Sequence, residues 1–411
     1  MRVTASLRPY SSTRGQNVLR RIVLIGATGF FGRRLAEQLV AIEGIILVVT
    51  SRSENRAAGL AETLAVAHPK AAITGIAFER DDMAHIDRLA ALLPWLVIDA
   101  SGPFQSAGYG LARASLEMGA HWIDLADARD YLLGFAGALD SIARRRDLVA
   151  LTGASSTPAL SMAVVEDLMR DWCRLDSVDT AIMPGGAGDV GQSVIRAILS
   201  YAGREIATSE GGRQAEATGW GSIHSMRVEG LGKRYLSPVE TADAALMCER
   251  FAVTSRVAFY AGLESRIEQF GILLLARLRK QGLVSQLEPL APWLEMARRV
   301  TRRFASDQGG MTVDCAGLDA HGRQISSRWT LIASKGHGPS VPVLPAAALA
   351  RALLSGGVKP GAGTAAGVLP LKVIEAEMVG LDIRILRTVT RGGCLLKVRA
   401  AQTLTGSCPA P

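Results

Sequence analysis

Gly26, Gly29 and Gly32 recur at three-residue spacing between a β-branched apolar run, 21–25, and a stretch whose Leu35, Ala36 and Leu39 repeat at helical spacing. Strand, glycine turn and helix in that order make a phosphate cradle for a dinucleotide. Gly26 lets the chain turn sharply off the strand, and Gly29 lets backbone N–H groups approach a pyrophosphate. Gly32 lets the helix pack close to the strand, its positive N-terminus facing the phosphates. The expected cofactor-binding turn is therefore Gly26, Ala27, Thr28, Gly29, Phe30, Phe31 and Gly32.

The end of the next strand selects the nucleotide. The run 45–53 finishes as Thr50, Ser51, Arg52 and Ser53, with no carboxylate to bind a ribose 2′-hydroxyl; Glu54 comes only after the arginine. Arg52 can grip a 2′-phosphate through two N–H groups, with the Ser51 hydroxyl beside it. NADP(H) is the expected cofactor and NAD the alternative. Short-chain dehydrogenases share this glycine spacing, but they place a Lys four residues after a catalytic Tyr to lower its pKa. None of the six tyrosines has that partner; Tyr109 is followed at that distance by Arg113.

Further on, "VIDASGPFQSAGYGLARASLEMGAHWIDLADARDYL" resembles the saccharopine dehydrogenase-like oxidoreductases. The likeness rests on Gly102, Pro103, Phe104 and Gly108, on His121-Trp122-Ile123-Asp124-Leu125, and on Gly153, Pro158 and Ala159 in "TGASSTPALSMAVVEDL". The resemblance covers residues 20–205, with a looser match over 340–370, and implies hydride exchange between NADP(H) and a C=N or C=O group. Many family members carry Glu four residues after the fifth-strand Asp; this chain has Ala128.

Physical roles follow from position. Ser101, Gly102 and Pro103 would wall the nicotinamide, where a missing side chain and a fixed φ keep the backbone close to the ring. Asp124 and Asp127 sit where a strand enters the crevice and are the candidate proton-exchanging or amine-orienting groups. Arg129 would hold a substrate carboxylate or neutralise Asp127 and Asp130. Phe104, Tyr109, Ser155, Ser156 and Gln192 are the candidate substrate contacts, Gln192 because it opens a helix after the glycine-rich 185–191 loop. Thr157-Pro158 reads as a helix N-cap and first turn. No His, Cys or carboxylate cluster has metal-ligand spacing, so no metal is expected.

The elements that position these groups alternate strictly. Strands at 21–25, 45–53, "AITGIAF", "WLVIDASGPF", "HWIDLAD" and "LVALTGAS" are each separated by a helical stretch. The fold class is α/β: a Rossmann-type doubly wound parallel sheet, with a second α+β domain. The expected organisation is a leader over 1–20 and a nucleotide domain over 21–155. A substrate and dimerisation domain follows over 156–340, and residues 341–411 hold a return helix and terminal strands that pack on both. Residues 356–367 read as a loop, and 319–322 as a hairpin turn. Residues 255–304 read as basic amphipathic helix, fit to pack on its own domain or a partner subunit ahead of an anionic membrane.

Composition bounds the rest. The 411 residues exceed one ordinary core, and 48% hydrophobic with 20% charged residues describe a globular chain. The net charge of +8 does not point to nucleic acid, because five of those charges are arginines within residues 1–21 and aromatics are only 5%. That acid-free, Ser- and Arg-rich start also has the composition of an organelle transit peptide. Five scattered cysteines without a C-x-x-C pair suit reduced thiols and a cytoplasmic setting. The expected partners are a small-molecule substrate and further copies of the chain. The alternative to an enzyme is a nucleotide-binding protein without turnover, membrane-associated or redox-sensing.

Overall fold

Residues 20–25, 45–51, 72–77, 96–99, 121–124 and 149–152 form β1 to β6 of one parallel sheet. The computed structural model describes residues 19–399 apart from 81, 83, 106, 188–191 and 393, so the leader up to residue 18 lies outside it. The helices between these strands are α1 (Phe30–Leu39), α2 (Glu54–Ala67), α3 (Ala84–Ala91), α4 (Gly110–Glu117) and α5 (Arg129–Arg145). Spatial order is β3-β2-β1-β4-β5-β6, which reverses between β1 and β4 and opens a crevice at their carboxyl ends. Ile22, Val23, Leu24 and the whole of 96–99 are inaccessible, as continuous apolar strands covered on both faces must be.

A seventh strand completes the sheet from far along the chain. Gly361–Thr364, expected as loop, is β15 and pairs in parallel with β6, Gly361 against Val149 and Thr364 against Thr152. Its Gly-Ala-Gly-Thr sequence has no apolar alternation, so nothing local marks it as a strand; the exposed edge of β6 recruits it.

The second sheet holds β7 (Trp172–Met183), β8 (Glu205–Glu210), β9 (Arg213–Thr218), β10 (His224–Val228), β11 (Gly232–Pro238), β12 (Arg256–Ala261), β13 (Gly309–Asp319), β14 (Gln324–Ala333), β16 (Ile383–Arg391) and β17 (Cys394–Arg399). Its path is β10-β11-β12-β7-β13-β14-β16-β17, with the β8–β9 hairpin attached to β12. The β13–β14 hairpin turns at 320–323, where the Asp319 carboxylate accepts from the His321 and Arg323 N–H groups. The segment expected to be helical throughout 255–304 opens instead with β12. It then folds into α9 (Arg266–Lys280) and α10 (Ala291–Thr301), which with α7 (Gln192–Tyr201) make a helical cap. The cap has its own small core of Leu199, Trp220, Ile272, Ala276, Leu287 and Ala291.

Between the sheets lie α6 (Ser161–Leu168), α8 (Asp243–Phe251), α11 (Leu344–Leu354) and α12 (Leu371–Ala376). Helix α11 is apolar except for Arg351, which pairs with Glu377 at 2.9 Å, and Ala346 to Ala350 are at most 1% exposed. Its small side chains let it lie close against α1, so one continuous core runs from Ile22 and Leu35 through Leu349 to Val313 and Trp329. The expected helix start at Thr157-Pro158 is displaced. Residues 156–160 form one wide turn in which Thr157 is extended, and regular α-helix begins at Ser161.

Candidate active site

The crevice begins at the glycine turn. Gly26 has φ +73°, and a Cβ there would lie 2.8 Å from Ser101 Cα, because the ends of β1 and β4 converge at this point. A Cβ on Gly32 would stand 2.1 Å from the Gly26 carbonyl oxygen, so α1 crosses the turn with no room for a methyl group. Gly29 donates to that same carbonyl at 2.9 Å and is the N-cap of α1 in extended conformation, with no side chain over the helix N-terminus. Backbone, positive helix end and missing side chains together fit a pyrophosphate.

The adenosine end is built from β2 and the first turns of α1 and α2. Thr28 Oγ1 donates to Ser51 Oγ at 2.9 Å, tying the glycine turn to the β2 terminus, and Arg52 extends into solvent. A cavity of about 260 Å³ lies alongside, lined by Thr28, Arg33, Glu37, Arg56 and the Leu60 and Leu64 side chains. Arg33 and Arg56 were not expected at this site. Arg56 stands two residues into α2 and Arg33 four residues after Gly29, so both helix starts aim a cation at one place.

The loop after β4 rests on a buried ion pair that the sequence did not reveal. Asp99 is fully buried and takes the Ser101 N–H at 2.9 Å and its hydroxyl at 2.5 Å on Oδ1. Arg80 Nε meets Oδ2 at 2.9 Å, and its guanidinium stacks over the Phe104 ring at 4.7 Å. Ser101, Gly102 and Pro103 are thereby held at the crevice mouth. Phe104, expected to touch substrate, instead lies 3% exposed beneath the loop, packed on Tyr131. Tyr109 is also withdrawn: its hydroxyl donates to the Tyr131 carbonyl at 3.0 Å inside an aromatic cluster with Phe135.

The two aspartates have different surroundings. Asp124 is completely buried, and its carboxylate accepts from Trp122 Nε1, Tyr131 Oη, Thr152 Oγ1 and the Ala126 and Gly153 N–H groups. Burial raises it to about 6 despite those donors. It staples the ends of β5 and β6 and has no face on the crevice, so geometry gives it a structural place instead of the catalytic one expected. Asp127 is three residues further on and open to the cleft. Desolvation by the surrounding protein raises its carboxyl above the usual range, opposed by its own backbone N–H and the Gln105 amide. Ala128, not Asp127, is the N-cap of α5. Arg129 pairs with Asp130 at 2.8 Å and not with Asp127.

One contact brings the second domain to the crevice. Gln105 Nε2 donates to Tyr201 Oη at 3.2 Å and to Asp127 Oδ1 at 3.4 Å. Tyr201 is the last residue of α7, and desolvation pushes its phenol up to about 12. Neither Gln105 nor Tyr201 carries a sequence signal, because the pairing exists only once the cap sits over the Rossmann sheet. Ser155 is half-buried and Ser156 is 6% exposed in the turn above β6. The Gln192 side chain and loop residues 188–191 lie outside the described residues. The start of that loop is no anion site, since the Gly186 N–H donates to the Glu264 carboxylate at 2.7 Å. Among the described residues no cluster of His, Cys and carboxylates is arranged for a metal.

Comparison with known proteins agrees with this geometry. Residues 22–152 match the family described as saccharopine dehydrogenase NADP binding domain. No curated protein sequence matches the chain. Among solved structures, apo saccharopine dehydrogenase (L-Glu forming) from Saccharomyces cerevisiae is similar at TM-score 0.59 and 12% identity, over 89% of this chain and 99% of that one. A meso-dapdh mutant with DAP from Clostridium tetani E88 gives 0.44 at 13% identity, over 86% and 95% of the two chains. The yeast likeness is one of fold. Residues 22–152, with the glycine turn they contain, are thus similar to a saccharopine dehydrogenase NADP binding domain, as an NAD(P)-dependent oxidoreductase requires.

Proposed function

We propose that the protein moves hydride between NADP(H) and the carbon of a C=N or C=O group, on a small substrate held between the Gly102–Pro103 loop and helix α7. The supporting observation is the Gln105 amide, which gathers Asp127 of the first domain and Tyr201 of the second at the mouth of the crevice. The cofactor, when bound on the Gly26–Gly32 turn, supplies or takes the hydride.

The protein's own groups handle the proton. Tyr201 accepts from Gln105, which leaves its O–H to donate to a substrate oxygen or nitrogen. A phenol is already protonated at neutral pH and desolvation pushes Tyr201 further from ionisation, so it serves as a donor and not as a base. Asp127, its carboxyl raised by desolvation within the cleft, is the group that passes a proton to and from that site. Arg129 spends one edge on Asp130 and offers the rest to a substrate carboxylate.

The preference for NADP over NAD rests on Arg33, Arg52 and Arg56 around the adenosine end. NADPH is expected to raise the melting temperature more than NADH, and Arg52→Ala combined with Arg56→Ala to erase the difference. Equal shifts from both cofactors in the unaltered protein would remove the NADP assignment. Turnover is read as NADPH oxidation with keto acids, with and without amines. Asp127→Asn and Tyr201→Phe should each cost about 10²-fold or more in kcat while the cofactor-induced rise in melting temperature stays intact.

A further inference from the structure

Helix α9 is apolar on two opposite faces. Ile272 and Ala276 point into the cap core and Leu273 is also buried, whereas Ile267, Phe270 and Leu274 stand 78%, 46% and 58% exposed on the other side. An amphipathic helix that only covers its own domain carries polar residues there. Its neighbour repeats the pattern: Ala291 of α10 is buried, while Trp293 and Met296 are 66% and 54% exposed, and Leu283 in the connection is 69% exposed. The Thr301 hydroxyl on the Glu268 carboxylate ties the end of α10 to the start of α9, so the two helices are held together at that end.

Charge says what covers these exposed residues. Residues 266–303 hold eight arginines and lysines against three carboxylates. Those three are engaged within the cap, Glu268 by Thr301, Glu288 by Arg204 and Arg279, and Glu295 by Arg299. Arg277 and Arg303 are exposed, whereas the Lys280 ammonium is held by the Thr218 hydroxyl at 2.9 Å. A second copy meeting this face about a two-fold axis would bring two cationic faces together in a partly desolvated contact. An anionic bilayer makes both interactions favourable, with apolar side chains entering the acyl boundary and cations meeting lipid phosphates.

We propose that helices α9 and α10 dock the protein on anionic phospholipid surfaces. The inference does not depend on the catalytic reading, and its test does not measure turnover. The full chain is co-sedimented with vesicles of phosphatidylcholine alone and of phosphatidylcholine with phosphatidylglycerol. Binding is expected on the anionic vesicles only, weakening as salt rises from about 0.1 M to about 0.5 M. Phe270→Ser with Leu274→Ser and Trp293→Ser should lower the partition coefficient at least tenfold. Arg277→Gln with Arg303→Gln should do the same, about fivefold for each charge removed. All five positions are exposed, so an unchanged melting temperature separates lost docking from lost folding. Absence of binding at low salt, or equal binding to both vesicles, overturns the proposal. So does a stable dimer in sedimentation equilibrium that the Phe270, Leu274 and Trp293 substitutions dissolve, which assigns the face to a second copy.

Discussion

Asp243 opens helix α8 at 2% exposure, and one of its carboxylate oxygens, Oδ2, is buried without a hydrogen-bond partner among the described residues. The other accepts from Ser161 Oγ at 3.1 Å. Desolvation therefore dominates and raises the carboxyl to about 7, with the Ser161 hydroxyl opposing. An unfolded Asp releases its proton near pH 4. Between about pH 4 and pH 7 the folded protein holds a proton that the unfolded chain has lost, so stability falls as pH rises through that window and levels off above it. Each tenfold change in proton affinity is worth about 1.4 kcal/mol, so the full penalty above pH 7 is on the order of 4 kcal/mol. Asp243→Asn keeps an acceptor for Ser161 and cannot ionise. The new amide costs about 1 kcal/mol if its N–H groups stay unpaired, and that offset does not vary with pH. Urea denaturation of both proteins at several pH values isolates the titration as the change in their difference, which should favour the variant by about 3 kcal/mol more at pH about 8 than at pH about 5. A difference that stays constant across this range would refute the argument.

Three further outcomes are expected. Gly32→Ala forces a methyl group onto the Gly26 carbonyl, 2.1 Å away, and should cost about 2 kcal/mol or more of stability; it should also abolish the NADPH-induced rise in melting temperature. Asp124→Asn turns an amide N–H toward groups that are already donors. It should destabilise the protein by about 3 kcal/mol, read by denaturation; normal stability with lost turnover would return Asp124 to the catalytic groups. Arg80→Met leaves Asp99 buried without its cation, so the Ser101–Pro103 loop should loosen and cofactor affinity fall, measured by titration of NADPH fluorescence.

The Rossmann core was legible because its signals are local. An apolar strand followed by Gly26, Gly29 and Gly32 has few other uses, and the alternation from 21 to 155 admits few topologies. Phe104 and Tyr109 pack inward for a reason outside the motif, which fixes where a loop runs but not which of its side chains turn inward. Asp124 and Asp127 look alike in sequence and differ by whether five donors or open cleft surround the carboxylate. Gln105, Tyr201 and the Arg80–Asp99 pair were invisible, since each contact joins segments whose proximity depends on the finished fold. The 361–364 strand failed on composition, as Gly-Ala-Gly-Thr is recruited by an unpaired edge and not by its own propensity.

That strand changes what can move. The chain passes between the two sheets three times, through α6, through the segment between β14 and α11, and through α12 after β15. Three covalent crossings, with a shared apolar core packed among them, make a poor hinge, because any wide swing would have to stretch all of them together. At the proposed site, substrate and cofactor would then enter by yielding of the 101–105 loop and the end of α7, around a frame that stays clamped. For the same reason residues 22–152 cut out alone would keep the nucleotide turn but lose the edge strand and the alanine-rich helix that close the sheet. One core draws on both sheets, although the family match covers only residues 22–152.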